Sequence, residues 1–197
     1  MILGAPVAWF LAFSRLRGKF LCEAVISLPL VLPPTVLGFY LLAIMGPKGF
    51  LGQWWQWLVH ERLVFTFSGI VFASIVYSLP FAVMPMKAAF TKIDRRLLES
   101  AFVLGLSRTS AFFRAVLPNS VGGIVTSGIL VFVHTLGEFG VILMVGGSIP
   151  GQTKVASIAI FEAVEALRYR DAGLMSITLL IVCYTVLIIV NLLSEKK

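Results

Sequence analysis

The sequence predicts an all-α, polytopic transmembrane protein, and three observations carry that expectation. Of its 197 residues, 59% are hydrophobic and 13% charged, where soluble globular domains carry about 25% charged residues; mean hydropathy is +0.99. Several apolar runs approach the ~20 residues that a helix needs to cross hydrocarbon. Finally, Lys and Arg fall into alternating connections between those runs.

We place spans at about 20–45, 64–86, 120–145 and 172–193, with a partial one at 1–13, in a single transmembrane domain covering 1–197 with no room for a separate soluble domain. Arg15, Arg17 and Lys19 then lie in the first connection. Lys87, Lys92, Arg95, Arg96, Arg108 and Arg114 lie in the third, and Lys196 and Lys197 follow the last span. The opposite side holds Lys48, Arg62, Lys154, Arg168 and Arg170, an asymmetry of 11 against 5. The positive-inside rule puts residues 87–118 and the C-terminus in the cytoplasm. The net charge of +7 thus reports topology: a membrane is the expected partner and nucleic acid is not.

"MILGAPVAWFLAF" reaches only ~20 Å as a helix, too short to span. Its charges follow the apolar run and no small-residue cleavage site appears, so it is a poor signal peptide. It reads as the C-terminal part of a first span. The next span holds Pro29, Pro33 and Pro34. A broken helix lining a pathway and a kink absorbed by packing both fit these prolines. Trp54, Trp55 and Trp57 in the following outer connection suit an interfacial anchor. Pro80 and Pro85 in the third run decide nothing by themselves. Cys22 and Cys183 read as small buried hydrophobes, not as a disulfide or metal pair.

The 120–145 span is rich in small residues, Gly122, Gly123, Ser127, Gly128, Gly137 and Gly140, as close helix contact requires. It also carries His134 and Glu138 at i and i+4, on one helical face. A proton relay or substrate contact is one reading of that pair. A structural hydrogen-bonded pair is preferred, because Glu138 lies near the outer end. No Lys or Arg falls inside any span, so buried positive charge builds no permanent anion site; hydroxyls, glycine backbone and helix N-termini remain as weak contacts. "GGSIPGQT" has Gln152 where a phosphate-binding loop needs Lys, and lies on the outer side. Membrane hydrolase constellations are missing as well. No catalytic residue, metal site, cofactor or nucleotide site is expected.

The segment "ESAFVLGLSRTSAFFRAVLP", Glu99–Pro118, is different. Asp94 caps a helix whose Leu97, Leu98, Ala101 and Phe102 form an apolar face. Gly105 supplies the left-handed stop. Ser107 caps a second helix, whose Phe112, Phe113, Val116 and Leu117 form another face, and Pro118 marks the start of the next span. Such a helix–turn–helix either lies flat on lipid or fills a groove on a soluble partner.

Inner-membrane subunits of ATP-binding-cassette importers carry a cytoplasmic sequence reading E-A-A, three residues, G, nine residues, I-x-L-P. Here Glu99, Ala101, Gly105, Leu117 and Pro118 stand in register, with Ser100 replacing an alanine and Ala115 the isoleucine. The segment resembles that motif, and the resemblance implies a type I ABC importer permease fold. Its coupling helix-turn-helix would dock on a partner ATPase through Glu99, Ser100, Ala101, Gly105, Leu117 and Pro118. "LPLVLPPTVLGFYLL", Leu28–Leu42, and "HTLGEFGVILMVGGSIPGQTKVASIAI", His134–Ile160, resemble the bacterial molybdate permeases, and the likeness runs from Ala8 onward. Members of that family usually begin with about half a span more.

What the resemblance implies is a homodimer around a central pathway, two cytoplasmic ABC ATPase subunits, an external molybdate-binding protein and residence in the bacterial inner membrane. Candidate pathway residues are Pro33, Pro34, Thr35, Thr135, Gly137 and Glu138. The expected function is ATP-driven import of molybdate or tungstate by alternating access, with hydrolysis on the partner. Sulfate and thiosulfate permeases are similar in "GEFG" and the loop after it, so sulfate is the alternative cargo. An ion channel or secondary transporter explains the broken helices but leaves Glu99–Pro118 without a role.

Overall fold

The computed structural model describes residues 1–14 and 16–195. Arg15, Lys196 and Lys197, all counted in the charge asymmetry, lie outside the described residues. The described chain is helical: α1 (Gly4–Phe13), α2 (Lys19–Val31), α3 (Pro34–Met45), α4 (Phe50–Val59), α5 (Phe67–Thr91), α6 (Arg95–Val103), α7 (Arg108–Ala111), a π-helical turn (Phe112–Val116), α8 (Leu117–Asn119), α9 (Val121–Gly137), α10 (Gly140–Gly146), α11 (Ala156–Glu165) and α12 (Tyr169–Glu195). By internal packing it divides into two compact units. One comprises Met1–Ile26, Leu79–Phe132 and the chain from Ile189; the other comprises Ser27–Ser78 and Val133–Ile188.

By length and composition, α5 and the Tyr169–Val190 part of α12 are long and apolar enough to cross a membrane. Two bent pairs also qualify when each is counted as one span. They are α2 with α3, turned by 115°, and Arg108–Asn119 with α9, turned by 77°. The first break falls at Leu32–Pro33, where Pro34 opens α3 at a position that needs no donor N–H. α1, at ten residues, is shorter than a span.

In the first unit, Ala8 and Leu11 of α1 pack on Ala82, Val83, Met86 and Phe90 of α5. Leu98 of α6 and Val116 of the π turn enter the same core. Trp9 meets Phe90 and Phe112 edge-on, with ring centroids 6.5 and 4.9 Å apart. Edge-to-face contacts of this kind add to plain area burial, so the 94–118 segment is anchored to α1 and α5. Lys87 departs from expectation. α5 continues to Thr91 and keeps Lys87 helical, paired with Glu23 of α2 at 2.7 Å. A basic residue therefore does lie in an apolar helix, near its end and neutralised by a partner. Cys22, expected to be buried, is exposed on α2, and neither it nor Cys183 is in a disulfide.

In the second unit, Leu37, Leu41 and Met45 of α3 pack on Val141 and Val145 of α10. Gly38 of α3 faces Met144, and Gly140 faces Pro34. α4 exposes Phe50, Trp54, Trp57 and Leu58, an apolar stripe at the spacing of one helical face. Ile158 of α11 is fully buried against Ile70 and Ile142. At the start of α11 the Lys154 ammonium pairs with Glu162 and holds its carboxyl below the usual value.

Candidate functional site

Two sites are built from the residues singled out by sequence. The first is the 94–118 segment. Asp94 accepts a hydrogen bond from the Arg96 N–H at 2.9 Å, satisfying an otherwise orphaned donor of α6. Asp94→Ala is expected to cost about 1 kcal/mol of α6 stability, read as faster amide hydrogen exchange across 96–103. At the other end Gly105 has φ +79°. Its N–H donates to the Phe102 carbonyl at 2.9 Å, and the Leu106 N–H donates to Ala101 at 3.0 Å, the two bonds of a Schellman stop. Ser107 accepts from the Ser110 N–H at 3.2 Å and starts α7.

The apolar faces are narrower than expected. Leu98 and Ala101 are buried, whereas Leu97 and Phe102 are 39% and 46% exposed. Phe112 and Val116 turn inward, but Phe113 is 60% exposed. The cause of the second departure is the π turn, whose extra residue shifts the side-chain angles away from 3.6-residue periodicity. The outcome is a small surface carrying Leu97, Phe102, Val103 and Leu104 with the exposed Glu99 and Gly105. Ala101 seats α6 in the core and the Ser100 hydroxyl bonds back to the Arg96 carbonyl at 2.8 Å. Pro118 is exposed and Leu117 half-buried, at the foot of the segment.

The second site is an open cavity of about 530 Å³ in the second unit, lined by Pro34 and Thr35 of α3, Tyr77 of α5, Val133, His134 and Gly137 of α9, then Glu138, Phe139 and Gly140. α9 stops at Gly137, so Glu138 sits in a break before α10 instead of continuing the His134 face. The Ser157 hydroxyl of α11 donates to the Glu138 carbonyl at 2.6 Å and holds that break. The Glu138 side chain is 5% exposed. Neither of its carboxylate oxygens has a hydrogen-bond partner of normal geometry among the described residues, although Ser74 of α5 lies alongside. Of the candidate pathway residues, Pro34, Thr35, Gly137 and Glu138 line this cavity. Pro33 caps α3, and Thr135 hydrogen-bonds Ser78 at 3.0 Å.

Tyr77, its ring 4.5 Å from that of His134, is missing from the sequence-based set. An aromatic inside an apolar run carries no polar signal; only Ser78 and Pro80 nearby mark the stretch as irregular. Among the described residues no group of three or more His, Cys, Asp or Glu is arranged to hold a metal ion.

The chain is 51% identical over 172 residues to the molybdenum transport system permease of Azotobacter vinelandii, covering 87% of this chain and 76% of that protein. It is 36% identical to the corresponding Escherichia coli K12 permease, over 82% of this chain and 71% of the other. A probable sulfate transport system permease of Zygnema circumcarinatum is 30% identical over 99% of this chain and 67% of its own length. The fold matches a subunit of a bacterial ABC transporter that imports alginate, with a TM-score of 0.77 at 20% identity, over 98% of this chain and 72% of that one. Residues 4–196 match a single family of membrane transport subunits. With that match and those identities, the chain belongs to the binding-protein-dependent transport system inner membrane components.

Proposed function

We propose that this chain is the membrane-spanning permease of an ATP-driven molybdate importer, acting as a homodimer with two cytoplasmic ABC ATPases and an external molybdate-binding protein. The observation that carries the reading is the 94–118 segment: a capped helix, a Schellman stop at Gly105 and an exposed apolar surface, anchored by Leu98 and Val116 to the core of α1 and α5. A surface held this firmly suits transmission of movement from a docked partner. Glu99, Ser100 and Gly105 would meet the ATPase, with Ala101, Leu117 and Pro118 fixing the pose. ATP hydrolysis would belong to the partner, and the permease would alternate between inward- and outward-facing states biased by ATP. The charge asymmetry supports placing the segment and the C-terminus in the cytoplasm, in a single transmembrane domain.

Molybdate or tungstate is the cargo best supported, by 51% identity to a permease named for molybdenum transport. Sulfate is the second reading, supported by 30% identity to a probable sulfate permease over 99% of this chain. The test is mild-detergent purification from native membranes, followed by mass spectrometry and by molybdate uptake in proteoliposomes. A stoichiometric P-loop ATPase and ATP-dependent uptake that sulfate fails to compete away are expected. A chain that arrives alone under several detergents would overturn the reading in favour of a channel or secondary transporter.

A further inference from the structure

The second half of the 94–118 segment carries a surface that the proposed ATPase contact leaves unused. The stretch Arg108–Asn119 is turned by 77° from α9. With α9 crossing the bilayer, that stretch runs close to the membrane plane, as an interfacial helix does. One side of it is committed to the core: Ala111, Ala115 and Val116 are buried, and Phe112 packs edge-on to Trp9. Phe113 emerges roughly a quarter turn round from Phe112. It is 60% exposed, its ring edge-on to that of Phe112 at 5.1 Å. Arg114 follows it and Arg108 opens α7, both exposed. Among the described residues no ion pair engages either arginine.

From core to water the order is apolar stripe, aromatic flank, unneutralised cation. An amphipathic helix in a headgroup layer has this order: apolar side chains dip toward the acyl chains while Lys or Arg reaches the phosphates. The α6 surface is of the opposite kind. It shows Val103 and Leu104 with the exposed Glu99, whose carboxylate an acidic surface repels. We propose that Arg108, Phe113 and Arg114 bind an acidic phospholipid of the cytoplasmic leaflet, Phe113 seated among the acyl chains and the arginines on the headgroup phosphate. The charge sign selects the lipid: a zwitterionic headgroup gives back in its cation what its phosphate gains, and an anionic one does not. The segment is then held at two places, by the leaflet at its π turn and by the ATPase at its Gly105 turn. A push at Gly105 meets resistance at the π turn and passes into α9 instead of tilting the segment on the surface. The side of the membrane follows from the charge asymmetry, and the role in coupling rests on the importer reading.

The experiment takes the importer purified in mild detergent and measures, by mass spectrometry, how much added phosphatidylglycerol or phosphatidylcholine it retains. It then measures molybdate uptake in vesicles of phosphatidylcholine alone and of the two lipids in equal parts. Arg108→Gln and Arg114→Gln are each expected to lower phosphatidylglycerol retention about fivefold, the worth of one basic residue at an anionic surface. Arg108→Lys with Arg114→Lys keeps the charge and most of the retention. Phe113→Ser weakens retention of both lipids, and Phe113→Trp preserves it. Raised salt narrows the preference for phosphatidylglycerol. Wild-type uptake is expected to be faster in the mixed vesicles, and the Arg108→Gln/Arg114→Gln importer to lose that gain while its ATPase still co-purifies.

Unchanged phosphatidylglycerol retention in the Arg108→Gln/Arg114→Gln importer overturns the inference. So does loss of the ATPase from that variant in every lipid, which would make this surface part of the ATPase contact. Inorganic phosphate that displaces the lipid at matched ionic strength overturns it too, in favour of a phosphate site. Wild-type vesicles of either composition that take up no molybdate, with phosphatidylglycerol still retained through Arg108 and Arg114, overturn the importer reading and leave the lipid contact standing.

Discussion

Gly105→Pro is expected to abolish ATP-driven uptake while the helices remain inserted. Gly105 has φ +79°, and proline is locked near −65°. Proline also removes the N–H that donates to Phe102 at 2.9 Å, so both halves of the Schellman stop are lost. The forced change of backbone conformation and the lost hydrogen bond together cost about 2–3 kcal/mol, roughly thirtyfold to a hundredfold in the population of the docked geometry. A Cβ at Gly105 would meet nothing within 4 Å, so the effect comes from backbone conformation, not crowding. That separates three variants: Gly105→Asn mildest, Gly105→Ala intermediate at about 1–2 kcal/mol of left-handed strain, Gly105→Pro most severe. Uptake and ATPase co-purification should fall in that order, with the amount of chain in the membrane little changed. Normal uptake by Gly105→Pro would remove the docking role from this turn.

Gly123→Leu is expected to produce the largest loss of stability. A Cβ at Gly123 would overlap the Cβ of Ala89 and approach the Pro85 carbonyl to 3.3 Å. α9 and α5 therefore touch almost backbone to backbone at this point, the arrangement that small residues permit between membrane helices. Overpacking costs about 1–3 kcal/mol in a well-packed core, and here the obstruction is a neighbouring Cβ with no freedom to swing away. Thermal unfolding of the detergent-purified chain should show a lowered midpoint. Ala89→Gly, combined with the milder Gly123→Ala, should restore much of the loss, because it removes the colliding methyl. Gly122→Ala is the contrast, since a Cβ there meets nothing within 4 Å. A double variant no more stable than Gly123→Ala alone would mean that the close approach is not what holds this pair.

Both positions show which signals survive in a bare sequence. The caps at Asp94 and Ser107 and the stop at Gly105 were legible because capping is local: one side chain or one φ value serves a neighbouring backbone group. The all-α membrane class was legible from apolar run length and charge alternation, which depend on bilayer thickness and not on packing. The outward turn of Phe113 was not, because a π turn has no compositional mark and is settled by what the segment packs against. Lys87 was placed in a connection because it is the first charged residue after the apolar run that ends at Met86, yet the helix carries on to Thr91 with Glu23 as counter-charge. The cavity was half legible. The prolines and glycines pointed to Pro34, Thr35, Gly137 and Glu138, but Tyr77 comes from a distant part of the chain and only the fold brings it there.

The aromatic contact of Trp9 with Phe112 has an optical consequence. The other three tryptophans, Trp54, Trp55 and Trp57, all belong to the second unit. Trp9 alone stands in the first, its ring against a phenylalanine of the segment assigned to partner docking. With the α4 tryptophans replaced by phenylalanine, the chain would carry one intrinsic fluorophore whose surroundings change whenever that segment shifts, a dye-free gauge of the coupling step.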